Sequence, residues 1–119
     1  MKLVIREPES RALRAFLRRH PGGSTCALAR VEVVRAVRKQ GALAIGRARE
    51  LVDRLDVLRI DDALLDAASL LPVDELRSLD ALHLAAAQRL GRDLAFVVSY
   101  DERMLGAAKA LGISVASPR

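Results

Sequence analysis

Residues Ser78 to Leu90 read Ser-Leu-Asp-Ala-Leu-His-Leu-Ala-Ala-Ala-Gln-Arg-Leu. At helical spacing this segment is apolar nearly all round, and a helix of that kind is a buried one. The chain must therefore build a core around it. Its 119 residues suffice for one compact domain with one core and are too few for two. Aromatic residues make up 3% with no Trp, so that core is expected to consist of Leu, Ala and Val. With 51% hydrophobic and 29% charged residues, the composition is that of a folded chain and not of a disordered tail.

Around this helix, strands and helices are expected to alternate. Pro8 and the spacing of Leu13, Phe16 and Leu17 predict a first helix over about Glu9 to Arg19, broken by His20-Pro21-Gly22-Gly23. Ser24-Thr25-Cys26 leaves room only for a short strand. Helices follow over Leu28 to Lys39, closed by Gly41, and over Leu43 to about Leu55. Val57 to Ile60 reads as a strand, after which Asp61 or Asp62 caps a short helix through Leu71. Pro72 opens a loop, Ser78 is expected to cap the buried helix, and Gly91 stops it. Leu94 to Ser99 reads as a buried strand, Asp101 as the cap of a helix over Glu102 to Leu111 ending at Gly112, and Ile113 to Val115 as a last strand. This order predicts an α/β fold with a parallel sheet covered on both faces.

Several classes of function lose support. The longest run without Asp, Glu, Lys or Arg is His20 to Ala29, far short of a membrane span. Met1 to Ser10 lacks the apolar core of a signal peptide. The single Cys26 excludes an internal disulfide and a cysteine-based zinc site. No P-loop, GxGxxG, GxSxG or CxxC pattern is present. The expectation is a soluble, intracellular protein. The net charge of +5 is uneven, at +8 over residues 1–60 and −3 over residues 61–119. A basic half suits a polyanion and an acidic half suits a cation, although seventeen Arg against three Lys also fits codon bias in a GC-rich genome. The arginines of the first helix, Arg11, Arg14, Arg18 and Arg19, could track RNA phosphates or an acidic protein segment, but by sequence alone a solvated face is the favoured reading.

Three acids stand out. Asp80 shares a stripe with His83, Leu84 and Ala87 on the apolar helix, which predicts a partly buried carboxylate in need of a partner. Its competing role is that of a first-turn acid favoured by the helix dipole. Asp101 follows the most hydrophobic strand, where ligands bind in open α/β sheets, but by position alone the N-cap is the favoured reading. Glu32 lies at the edge of a charged face with Arg35, Arg38 and Lys39. By spacing alone it is a solvated residue pairing with Arg35. His83 and His20 read as a core and a turn residue, and Cys26 as a small buried one.

The runs Arg6-Glu7-Pro8-Glu9-Ser10, Ala27-Leu28-Ala29-Arg30-Val31-Glu32-Val33, Leu76-Arg77-Ser78-Leu79-Asp80-Ala81-Leu82-His83-Leu84-Ala85 and Val98-Ser99-Tyr100-Asp101 closely resemble PIN-domain ribonucleases, above all the VapC-type toxins of bacterial toxin–antitoxin pairs. The likeness runs in order from about Leu3 to the C-terminus. It implies a PIN-like three-layer α/β sandwich over residues 1–119 with a short, mostly parallel sheet. It also implies a metal-dependent endoribonuclease in which Glu32, Asp80 and Asp101 are three of four acids holding Mg²⁺ or Mn²⁺, and are the catalytic residues. Implied partners are RNA, a VapB-type antitoxin and a second copy in a homodimer, in the cytoplasm and away from any membrane. Such converging carboxylates repel, by about 3 kcal/mol for a pair about 5 Å apart at an effective dielectric near 20, and so make sense around a cation.

The resemblance carries one departure. The family opens with a buried central strand ending in Asp and a hydroxyl residue, whereas Met1-Lys2-Leu3-Val4-Ile5 resembles the segment just after it. The expectation is a start placed too late, with Met1 standing where relatives often carry Val. A chain that truly began here would be weakly stable with little or no nuclease activity. The alternative function is therefore a non-catalytic, truncated PIN-like module that binds antitoxin or RNA. A small DNA-binding regulator is less supported, since no clear recognition helix follows His20 to Gly23.

Overall fold

The computed structural model describes residues 2–119 as two compact units, a first one running through Arg59 and taking in Pro118–Arg119, and a second one of Ile60–Ser117. The first unit holds α1 (Ser10–Arg19), β1 (Ser24–Cys26), α2 (Ala29–Val37), α3 (Ala42–Asp53) and β2 (Asp56–Leu58). The second holds α4 (Asp62–Ser69), α5 (Ser78–Leu90), β3 (Val97–Val98), α6 (Glu102–Ala110) and β4 (Val115–Ala116). Within each unit two strands pair in parallel. Ser24, Thr25 and Cys26 lie opposite Asp56, Val57 and Leu58, and Val97 and Val98 opposite Val115 and Ala116.

In the first unit α1 starts where Ser10 is 2% exposed. Its hydroxyl donates to the Ile5 carbonyl at 3.2 Å and accepts the Glu7 N–H at 2.8 Å, so the buried polar group is satisfied. One 3₁₀ turn, Arg38–Gln40, extends α2, and Gly41 at φ +98° turns the chain into α3, a conformation that suits glycine. Val4, Val37 and Ala48 are buried together, with Ile5, Val33 and Leu51 against them. The segment before α1 thus belongs to the core of this unit. Gly23 leads into β1, and a Cβ there would stand 2.8 Å from Leu55 Cδ2, so the end of that side chain would have to shift.

In the second unit α5 is buried as its sequence requires, with Leu84 1% exposed and Ala81, Leu82, Ala85, Ala86 and Ala87 all buried. Leu84 packs with Ala107 and Ala108 of α6, and with Leu76, Val97 and Ile113 nearby. Asp61 caps α4 by accepting the Leu64 N–H at 2.8 Å. The same carboxylate receives both terminal nitrogens of Arg89, at 3.0 and 3.1 Å. This clamp ties the start of α4 to the end of α5.

Three expectations are corrected. Ser78 is the first residue of α5 and not its cap; Arg77, in extended conformation, takes the cap position and makes no side-chain cap bond. The strand expected over Leu94 to Ser99 shrinks to Val97–Val98, half-buried, with Ala95 and Phe96 exposed. A 3₁₀ turn over Gly91–Asp93 holds Leu94 out of the strand as its cap, since the Leu94 N–H bonds back to the Gly91 carbonyl at 3.2 Å. Full burial of a strand also needs neighbours on both edges, and β3 pairs with β4 alone among the described residues. Finally, β2 begins one residue early, at Asp56, and ends at Leu58.

Candidate active site

Asp80 occupies the first turn of α5, where the exposed N–H groups of a helix favour negative charge. It is half-buried, on the stripe that carries the buried Leu84 and Ala87. Among the described residues its carboxylate has no hydrogen-bond or ion-pair partner. His83, one turn on, is half-buried and already engaged, as a core histidine should be.

Asp101 is exposed and caps α6. Its Oδ1 accepts the N–H groups of Arg103 at 2.9 Å and Met104 at 3.5 Å. The favoured N-cap reading is correct, and it occupies only one of the two carboxylate oxygens. A residue not assigned from sequence holds this turn. The Ser99 hydroxyl accepts the Asp101 N–H at 3.1 Å, and the Ser117 hydroxyl donates to the Ser99 carbonyl. The signal was a serine two residues before the acid, a spacing that closes such turns locally.

Glu32 sits in the first turn of α2 and is half-buried. The expected pair with Arg35 does not form: Arg35 is exposed and has no ion-pair partner among the described residues. The charge of Glu32 instead acts on Cys26, the last residue of β1. Burial pushes that thiol up, and the nearby carboxylate adds to the rise. Cys26, 1% exposed, is thus an inert core residue.

The second unit therefore presents Asp80 and Asp101, and the first presents Glu32. Among the described residues no group of three or more His, Cys, Asp or Glu side chains gathers closely enough to hold a metal ion. In kind the donors fit a hard divalent cation: they are carboxylates only, and Asp80 is a half-buried one without a protein partner. No helix is long and apolar enough to cross a membrane among the described residues.

Comparison with known proteins identifies the family. The PIN domain model matches residues 1–110, and the chain belongs to the PIN-domain family. Its mixed helices and parallel strand pairs are those of the expected PIN-like α/β class. Within that family its relatives are of the VapC type. Ribonuclease VapC46 of Mycobacterium tuberculosis strain H37Rv is 53% identical over 119 residues, covering 99% of this chain and 91% of the relative. Ribonuclease VapC47 of strain CDC 1551 is 40% identical over 122 residues, covering 98% and 90%. Ribonuclease VapC35 of strain H37Rv is 38% identical over 122 residues, covering 99% and 90%. No solved structure matches.

Proposed function

We propose that this chain is a metal-dependent endoribonuclease toxin that cleaves RNA phosphodiester bonds and is neutralised by a VapB-type antitoxin. The ribonuclease activity is supported by the VapC relatives. The metal dependence is supported by the unpartnered, half-buried carboxylate of Asp80 on an otherwise apolar helix. Asp80, Asp101 and Glu32 would hold Mg²⁺ or Mn²⁺. When bound, such an ion activates a water and stabilises charge on the leaving oxygen. The chain contributes positioning. Asp80 is fixed by the packing of α5, and Asp101 by Ser99 and by its capping bonds to α6, which engage Oδ1 and not Oδ2 among the described residues. Glu32 brings a third carboxylate from the start of α2.

The test is cleavage of a labelled RNA with and without Mn²⁺, for the wild type and Asp80→Asn. Cleavage that needs the metal and vanishes in Asp80→Asn supports the enzyme. Cleavage indifferent to both overturns it. The second reading is a PIN-like module that binds RNA or antitoxin without cutting. It predicts binding, without cleavage, at every metal concentration. A homodimer belongs to the same proposal, supported by Val31 and Leu43, which are 57% and 69% exposed on α2 and α3; sedimentation of the wild type against Leu43→Lys tests it. A cytoplasmic location is the setting this reading implies.

A further inference from the structure

We propose that α1 presents a phosphate-binding stripe, Arg11, Arg14 and Arg18, along which the backbone of single-stranded RNA runs. This deepens the ribonuclease reading and rests on it for the choice of RNA. The three arginines follow one another at i, i+3 and i+7, positions that share one face of a helix, and span about 10 Å at 1.5 Å per residue. All three are exposed, and Arg19 beside them is exposed too. The far side of the helix is anchored by the buried Leu13. No acid lies within α1.

The nearest acids along the chain are already taken. Glu9 is held by Lys2 at 2.8 Å and by Arg119 at 3.8 Å, and Glu7 by Lys2 at 3.6 Å. Neither Arg11 nor Arg18 has an ion-pair partner among the described residues, and Arg14 only donates to the Leu3 carbonyl at 3.4 Å. A surface arginine costs little when solvated, but a solvated face ordinarily mixes both signs. Three aligned guanidiniums with their neighbouring acids neutralised form a single-sign strip complementary to a polyanion. The unit that carries it has fifteen Lys and Arg against six Asp and Glu.

The experiment measures binding of a fluorescein-labelled single-stranded RNA of about 12 nucleotides by anisotropy, in EDTA so that no cleavage intervenes, across a salt series. Three proteins are compared: wild type; the triple Arg11→Gln, Arg14→Gln, Arg18→Gln; and the charge-matched triple Arg35→Gln, Arg38→Gln, Lys39→Gln on α2 and the turn that follows it. Loss of three contacts should reduce the slope of log affinity against log salt by about 2, and weaken binding on the order of tenfold near 0.15 M salt. The α1 triple should show this and the control triple should not, while an all-lysine version of the α1 triple should recover most of the affinity. Equal losses in both triples would mean that net charge alone binds RNA, and would overturn the stripe. So would unchanged affinity, a wild type that does not bind RNA, or an α1 triple that loses only a poly-glutamate peptide, which would mark an acidic protein site. Should the α1 triple not fold by circular dichroism, each single Arg→Gln variant must lower the slope by about 0.7. Because binding is read without metal, a failure of the nuclease reading shows separately, in the Mn²⁺ cleavage assay.

Discussion

The two units of this chain solve different problems with the same few residue types. The first carries a surplus of nine positive charges and the second a deficit of four. The first sets its arginines on the outside of α1 and keeps a small core of Val4, Val37 and Ala48. The second sinks an alanine-rich helix into its interior and carries on it one carboxylate that has no partner among the described residues. Leu84 of α5 packs against Ala107 and Ala108 of α6 in that core. The same residue types thus serve opposite ends: the first unit gathers positive charge at its surface, and the second gathers carboxylates. Under the proposed function this divides holding RNA from most of the cutting.

The largest effect is expected where this division is sharpest. Asp80→Asn keeps the shape of the side chain and should reduce RNA cleavage at least about 100-fold, equivalent to about 2.7 kcal/mol of lost transition-state stabilisation. RNA affinity in EDTA should stay within about twofold of the wild type. If binding fell as steeply as cleavage, the separation of holding from cutting would be wrong. Next in size is Leu84→Ala, which opens a cavity at a site 1% exposed and should cost about 2–5 kcal/mol in denaturant unfolding. Val37→Ala in the other core, at a site 0% exposed, removes less apolar surface and should cost about 2 kcal/mol. A reversal of that order would show the first core to be the tighter one.

A smaller and more discriminating effect is expected at Asp101, which has a structural and a proposed chemical role. Asp101→Ala removes the bonds to Arg103 and Met104 and should destabilise by about 1 kcal/mol as well as abolish cleavage. Asp101→Asn is a good cap, so stability should be retained and cleavage still lost. Retained cleavage in the Asn variant would reduce Asp101 to a cap.

Much of this was legible in the sequence, for reasons that can be named. The all-round apolar pattern of Ser78 to Leu90 admits only a buried helix, and α5 has those bounds. Asp101 and Asp61 announce helix starts because a short acceptor side chain reaches the N–H groups two and three residues on. Strand ends were less legible. Whether Leu94 to Phe96 pairs depends on which neighbour lies beside it, and that is not local information. Glu32 was misread from spacing, since the helical wheel places Arg35 near it but does not show that Cys26 of β1 lies within reach of its charge. The Arg89 clamp on Asp61 spans 28 positions and has no local signature at all.

That clamp provides the subtlest contrast between the units. The hydrogen bonds from Arg89 and the Leu64 N–H hold the Asp61 carboxyl below its ordinary value. A carboxyl with a lowered folded-state value contributes stability above its ordinary value of 3.8, and loses it as pH falls through the lower, folded one. Arginine does not titrate in reach, so this clamp fails only in acid. In the first unit the hydrogen bond from Lys2 lowers Glu9, and the bond to Glu9 raises Lys2 above 10.5. A lysine raised in the folded state contributes stability below 10.5 and loses it as pH rises through the higher value, so the Lys2–Glu9 tie fails at both ends of the scale. The Asp61–Arg89 tie is exposed and the Lys2–Glu9 tie partly buried, and as single surface pairs their effects should be small and local. Amide exchange should therefore report early opening of α4 in acid, abolished as a separate step by Asp61→Asn. At alkaline pH, loosening should begin around α1, in the wild type but not in Lys2→Arg. Loosening of α4 at high pH, with α1 intact, would show that the two ties had been assigned to the wrong ends of the titration.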